Sequence, residues 1–100
     1  MYKIFLLPKA QNDIKEVAFW YNTKKRGLGK RFVKNLRFEM NYISKNPFLF
    51  VNRYKNIHTA VVKYFPYMIH YQIDEFSKSV LIIAVFHTSL NPKSNRDKRV

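Results

Sequence analysis

Ala60-Val-Val-Lys-Tyr-Phe-Pro-Tyr-Met-Ile-His-Tyr71 decides the fold of this chain. On both sides of Pro66 the side chains alternate with a period of two, which sends successive residues to opposite faces of a strand. Thr59, Val61, Lys63 and Phe65 form one row, and Ala60, Val62 and Tyr64 the other. After the proline, Tyr67, Ile69, Tyr71 and Ile73 alternate with Met68, His70 and Gln72. Proline cannot donate to a strand ladder, so Phe65-Pro66-Tyr67 predicts a hinge that bends or ends one strand before the next begins. Asp74 to Ser79 reads as the polar connection of a hairpin. Val80 to His87 is nearly all apolar, which predicts a strand covered on both faces or lying at the sheet centre.

Upstream, the period changes. From Lys9 to about Arg26, Ala10, Ile14, Val17, Ala18 and Tyr21 fall on one helical face. Gly27-Leu-Gly29 predicts a break, because two glycines so close favour a cap and turn over continuation. A second helix, about Lys30 to Lys45, buries Phe32, Val33, Leu36, Met40 and Ile43 and ends at Asn46-Pro47. So short a loop predicts an antiparallel helical hairpin. Tyr2 to Leu7 reads as a strand stopped by Pro8, and Val51 to Lys55 as a short extra strand or a loop. The expected fold is α+β: an N-terminal strand, a helical hairpin, then an antiparallel sheet of three to four strands.

Composition restricts the function. One hundred residues, 47% of them apolar, suffice for one compact domain spanning 1–100, with a basic C-terminal tail from about residue 88. The opening apolar run is too short for an export signal or a membrane span, and zero Cys excludes disulfides and fits a cytoplasmic location. Nineteen Lys and Arg against six acids give a formal charge of +13. Between Glu16 and Glu39 there is no acid, while Lys24, Lys25, Arg26, Lys30, Arg31, Lys34 and Arg37 crowd the interval. Such a field calls for an acidic partner, either a nucleic acid or an acidic protein segment.

Few residues suggest chemistry. His58, His70 and His87 are too scattered for a metal centre, and there is no phosphate-binding glycine loop, so neither metal nor cofactor is expected. The remaining reactive groups are basic or phenolic: Arg53, His58, Lys63, Tyr64, His70, Tyr71, His87, Arg96 and Arg99. RNA cleavage without metal needs a base for the 2′-hydroxyl, an acid for the leaving oxygen and cations at phosphorus, and these side chains permit all three. His87, ending an apolar strand, equally suits a hydrogen bond that tethers the following loop. Lys63 falls on the row of Val61 and Phe65, where an ammonium is tolerated only if that face opens. Phe19 lies opposite the apolar face of the first helix and Trp20 near its edge, the kind of aromatic pair that anchors a partner.

The Phe65-Pro66-Tyr67 hinge with Tyr71 four residues on, the Val85-Phe86-His87 strand end, and Pro8, Ala10 and Asp13 near the start together resemble the RelE/ParE superfamily of type II toxins. The resemblance implies the fold described above. It implies a growth-arresting toxin of the ParE-like branch, associated with poisoning DNA gyrase, neutralised by a tightly bound acidic antitoxin in a hetero-oligomer. RelE-like members instead cut ribosome-bound messenger RNA with sheet Arg and Lys residues and often a Tyr or His near the C-terminus. Under that alternative, Lys63, Tyr71 and His87 are the catalytic set of a metal-independent endoribonuclease. Here His58-Thr59 and Thr88-Ser89-Leu90-Asn91 stand where related toxins commonly carry arginines, which departs from the RNase pattern, and the Val85-Phe86-His87 ending and the longer helical hairpin look more like the ParE side. A non-toxic antitoxin-binding module of the same fold is the third reading. The resemblance assigns target or nucleic-acid contact to Arg53, His58, Lys93, Arg96, Lys98 and Arg99, and antitoxin contact to Phe19, Trp20, Arg31, Lys34 and Phe38.

Overall fold

The computed structural model describes residues 1–90. The tail cations Lys93, Arg96, Lys98 and Arg99 lie outside the described residues. The order of elements is β1 (Lys3–Leu6), α1 (Pro8–Lys24), α2 (Leu28–Lys45), β2 (Asn52–Tyr54), β3 (Ile57–Val61), β4 (Tyr67–Asp74) and β5 (Ser79–His87). They form one five-stranded sheet in the order β1-β5-β4-β3-β2, with the helical hairpin over one face.

Pro8 does more than stop the first strand. It opens α1, where its missing N–H costs nothing and its fixed φ suits the first helical turn. The interhelical turn rests on Gly27, which takes a left-handed φ of 85° that side chains resist. Gly29 differs from expectation, for it lies inside α2 and is not part of the break. A Cβ there would overlap the Ala18 carbonyl oxygen, so this glycine lets the two helices approach closely, and its N–H donates to Asn22 Oδ1 at 2.9 Å. The apolar stripe of α2 then buries Phe32, Leu36 and Ile43, with Val33 and Met40 at its margins.

The sheet is mixed and not wholly antiparallel. β1 runs parallel to β5, with Lys3 opposite Ser79 and Leu6 opposite Ile82. The hairpin and three intervening strands carry the chain back in the same direction. Elsewhere the pairing is antiparallel, and the segment expected as strand or loop is the short edge strand β2. Between His70 and Tyr71 the β4–β5 register shifts, pairing His70 with Ala84 but Tyr71 with Ile82, so Ile83 is the extra residue of a bulge.

The Phe-Pro-Tyr hinge turns more sharply than simple alternation predicts. β3 ends at Val61, and Tyr64 takes a positive φ of 70°. Phe65 is therefore buried with Val62, while Lys63 stays exposed in the turn and leaves the row it was expected to share with Phe65. Phe65 meets Tyr21 and Phe32 at ring separations of 5.0 and 5.3 Å, and Tyr67 meets them at 6.1 and 5.6 Å. These edge-on contacts lock the hairpin onto the β3–β4 turn.

Candidate functional site

Cross-strand register sorts the sheet residues between two faces. Ala60, Ile69 and Val85 lie opposite one another and belong to the core under the helices. The next rows, Val61 with Met68 and Phe86, and Thr59 with His70 and Ala84, form the face without helices. Neither row contains Lys or Arg. Among the described residues, cations stand at the margins of this face: Lys3 on edge strand β1, Arg53 on edge strand β2 and Lys9 in the first turn of α1.

His70 is the chemically unusual member of this face. It is 1% exposed, edge-on to Phe86 at 4.9 Å, and its Nδ1 lies 3.3 Å from the Tyr54 hydroxyl. Its Nε2 is buried without a hydrogen-bond partner. Burial first, then the positive fields of Arg53 and Lys9, lower its pKa from 6.5 to about 4, with Asp13 opposing weakly. The ring is thus neutral at physiological pH. Around it, Arg53 Nε donates to Thr59 Oγ1 at 3.0 Å, and Lys9 Nζ sits 4.6 Å above the Phe86 ring while paired with Asp13 at 2.9 Å. The arrangement packs polar groups against apolar ones, with Arg53 committed to Thr59 and Lys9 to Asp13.

Tyr71 points the other way, into the core. It is fully buried, donates its hydroxyl to the Pro47 carbonyl at 2.7 Å, and burial, followed by the nearby Glu39 charge, raises its pKa well above the usual phenol range. His58 stacks on it at 5.3 Å and donates Nδ1–H to the Phe50 carbonyl at 3.0 Å. That bond places the neutral ring's remaining lone pair on Nε2. His58 borders a recess of about 400 Å³ with Phe48, Asn52, Asn56, Ile73 and Glu75.

His87 ends β5 edge-on to Tyr67 at 5.2 Å, and its Nδ1 accepts the Ser89 N–H at 3.1 Å, so it tethers the following loop. It also lines a cleft of about 210 Å³ with Asp13, Glu16, Val17 and Leu90. Lys63 Nζ lies over the Tyr64 ring at 5.1 Å in the exposed turn. Because Tyr67 is the residue opposite His87, Tyr71 stands four residues, about 13 Å, further along β4. Lys63, Tyr71 and His87 are not gathered around one point.

The hairpin residues are gathered on solvent. Phe19 is 72% exposed, Trp20 50% and Phe38 66%, and Arg31 and Lys34 are exposed beside Phe38 on α2. Trp20 carries the Lys24 ammonium over its ring at 5.1 Å. No helix is long and apolar enough to cross a membrane among the described residues, and no group of His, Asp and Glu there could hold a metal.

A family model for the ParE toxin of the type II toxin-antitoxin system, parDE, matches residues 4–92. The chain belongs to that family. It is accordingly the toxin component of a type II toxin-antitoxin system. No curated protein matches it. Among solved structures, the fold of this ParE-family chain is similar to the chromosomal ParDE toxin-antitoxin system from P. aeruginosa. There the TM-score is 0.75 at 12% identity, over 87% of this chain and 96% of that one. It is also similar to the intact E. coli RelBE toxin-antitoxin complex (TM-score 0.66, 14% identity, 87% and 96% covered). The isolated E. coli RelE toxin gives 0.66 at 16% identity, over 99% of this chain and 98% of that one.

In the sequence His70 is one of several reactive groups, and its alternation with Ile69 and Tyr71 puts it on the second face. The tie between Asp13 and the bulged end of β5 had no local signal beyond a Lys9–Asp13 spacing of four, which suggests a helix-surface pair and nothing more.

Proposed function

We propose that this ParE-family toxin arrests growth by acting on DNA gyrase and is held inactive by a cognate antitoxin whose acidic, apolar segment covers the helical hairpin. The observation that carries the target is the composition of the sheet face without helices. Val61, Met68 and Phe86, and Thr59, His70 and Ala84, occupy its central rows, where RelE-like messenger cleavage calls for Arg and Lys. A metal-independent nuclease needs a base, an acid and cations converging on one phosphate. Here the Tyr71 hydroxyl is committed to Pro47, His87 Nδ1 to Ser89, and His70 is neutral under Phe86 and Tyr54.

Support for the antitoxin surface comes from the hairpin, where Phe19, Trp20 and Phe38 stand exposed among Arg31 and Lys34. Charge steers an acidic partner toward such a surface and apolar burial anchors it. Arg53, His58 and the cations from Lys93 onward remain the residues through which the toxin would reach its target.

Pulse labelling of DNA and protein synthesis within minutes of inducing the toxin without antitoxin tests the target. DNA synthesis falling first is the expected result. Protein synthesis falling first returns the reading to messenger cleavage. No fall in either, with folded protein accumulating, leaves an antitoxin-binding module that has lost its toxicity.

A further inference from the structure

One concavity among the described residues belongs to neither the sheet face nor the exposed aromatics. Lys30, Val33, Lys34 and Arg37 line a groove of about 480 Å³ along one flank of α2. Their spacing of three, four and seven residues puts them on a single helical face. Three of the four are exposed cations. Among the described residues the ion pair present is Lys9–Asp13, so none of the three is neutralised by an acid. The single acid of α2, Glu39, is half-buried, and burial raises its pKa.

We propose that this flank of α2 binds the phosphate backbone of double-helical DNA without reading its sequence. Seven residues of helix separate Lys30 from Arg37, about 10.5 Å along the axis. Along the duplex axis each strand presents a phosphate about every 3.4 Å, so with α2 lying along that axis the row spans about three phosphates. Unpaired lysine and arginine heads above aliphatic stems suit a regular row of anions. The lining holds no aromatic ring on which an unpaired base would stack, which favours a duplex over a single strand. An acidic protein segment would need apolar pockets for its anchors. Val33 is the one apolar residue of the lining, whereas Phe19 and Phe38 protrude from the outer surface of the hairpin. The two surfaces therefore divide the work, aromatics for the protein partner and the cationic flank for DNA, with Lys34 at their border. The inference does not depend on gyrase being the target.

The test is fluorescence anisotropy of a labelled 20-base-pair duplex of arbitrary sequence titrated with the full chain between 50 and 200 mM salt. Lys30→Gln/Lys34→Gln/Arg37→Gln is compared with Lys3→Gln/Lys55→Gln/Lys78→Gln, which removes the same charge from exposed sites on the sheet. Circular dichroism confirms that both fold, and the cations from Lys93 onward are common to both. The groove variant is expected to lower the slope of log affinity against log salt by about 2 to 3, and to weaken binding at least tenfold at 100 mM, on every duplex tried. The control should keep most of the wild-type slope. Equal losses in the two variants, or tighter binding to a single strand of the same length, overturn the proposal. So does an Asp/Glu-rich peptide that binds the wild type more tightly than the duplex and loses that binding in the groove variant, which would assign the flank to an acidic protein.

Discussion

Asp13 holds the end of β5 in place: its Oδ2 accepts the Val85 N–H at 3.0 Å, joining residues 72 positions apart. The contact exists because β1 stops at Leu6 opposite Ile82, while β5 runs on to His87 with a bulge at Ile83. Beyond that point the edge of β5 has lost its neighbour, and a carboxylate from the first turns of α1 takes the place of a strand. The same carboxylate pairs with exposed Lys9, an i,i+4 interaction worth only a few tenths of a kcal/mol. Asp13→Ala should cost about 1.5 to 3 kcal/mol, the range for a charge-assisted hydrogen bond whose loss strands a partly buried N–H. Lys9→Ala should cost far less. Urea denaturation of the two variants checks the order, and equal costs would mean that the ion pair, not the strand cap, is what matters.

His70 makes stability depend on acid. Its folded pKa of about 4 lies below the ordinary value of 6.5, so the unfolded chain binds a proton that the folded chain refuses. Stability is therefore full above about pH 6.5, falls as the pH drops toward 4, and levels off below that. The loss attributable to this ring is on the order of 3 kcal/mol. Denaturation of wild type and His70→Phe at pH 7, 5 and 4 isolates it, since the variant retains the packing against Phe86 but has nothing to titrate. The stability gap between them should shift in favour of the variant as pH falls; parallel curves would show that His70 is protonated in place without cost.

Much of this architecture is legible in the sequence, and the exceptions share a cause. Phe32, Leu36 and Ile43 recur at helical spacing, and Ile69 and Tyr71 at strand spacing, so local periodicity alone places them in the core. The parallel pairing of β1 with β5 carries no such signal, because it depends on a partner more than seventy residues away. Alternation carried from β3 through the hinge puts Lys63 in one row with Phe65, but the positive φ of Tyr64 turns the chain before Phe65. Candidate site residues fared according to how local their signals are. Phe19, Trp20 and Phe38 stand out as aromatics on the solvent side of a helix pattern. The burial of His70, on the opposite row of β4 from Tyr71, depends on what covers the sheet's second face, which no single segment encodes.

Gly29 offers a sharp check on the hairpin. In a helix interior alanine is normally better than glycine by about 1 kcal/mol, an advantage that applies only in part at Gly29, the second residue of α2. At Gly29 the added methyl would meet the Ala18 carbonyl oxygen of the neighbouring helix, a backbone atom that cannot swing aside. Gly29→Ala should therefore destabilise by about 1 to 3 kcal/mol despite its higher helix propensity. At Gly27 a Cβ meets open space but the φ of 85° is strained, so Gly27→Ala should cost about 1 kcal/mol through the backbone alone. Thermal unfolding of both separates crowding from strain. A stabilised Gly29→Ala would mean that the helices can part at little cost.

Tyr71 separates the two toxic readings. Its hydroxyl donates to the Pro47 carbonyl in a buried setting, joining β4 to the segment that follows α2. Tyr71→Phe removes the donor and leaves that carbonyl unsatisfied, at an expected cost of about 1 to 2 kcal/mol. If the hydroxyl only supports the fold, the variant arrests growth as fully as the wild type at any temperature where urea denaturation shows it to be folded. Lys63→Ala, in an exposed turn with its ammonium over Tyr64, should likewise retain toxicity. A folded Tyr71→Phe protein that no longer arrests growth would require the phenol to reach solvent in the active state. The buried hydrogen bond would then be a resting arrangement that opens on the ribosome, and messenger cleavage would displace gyrase as the activity to pursue.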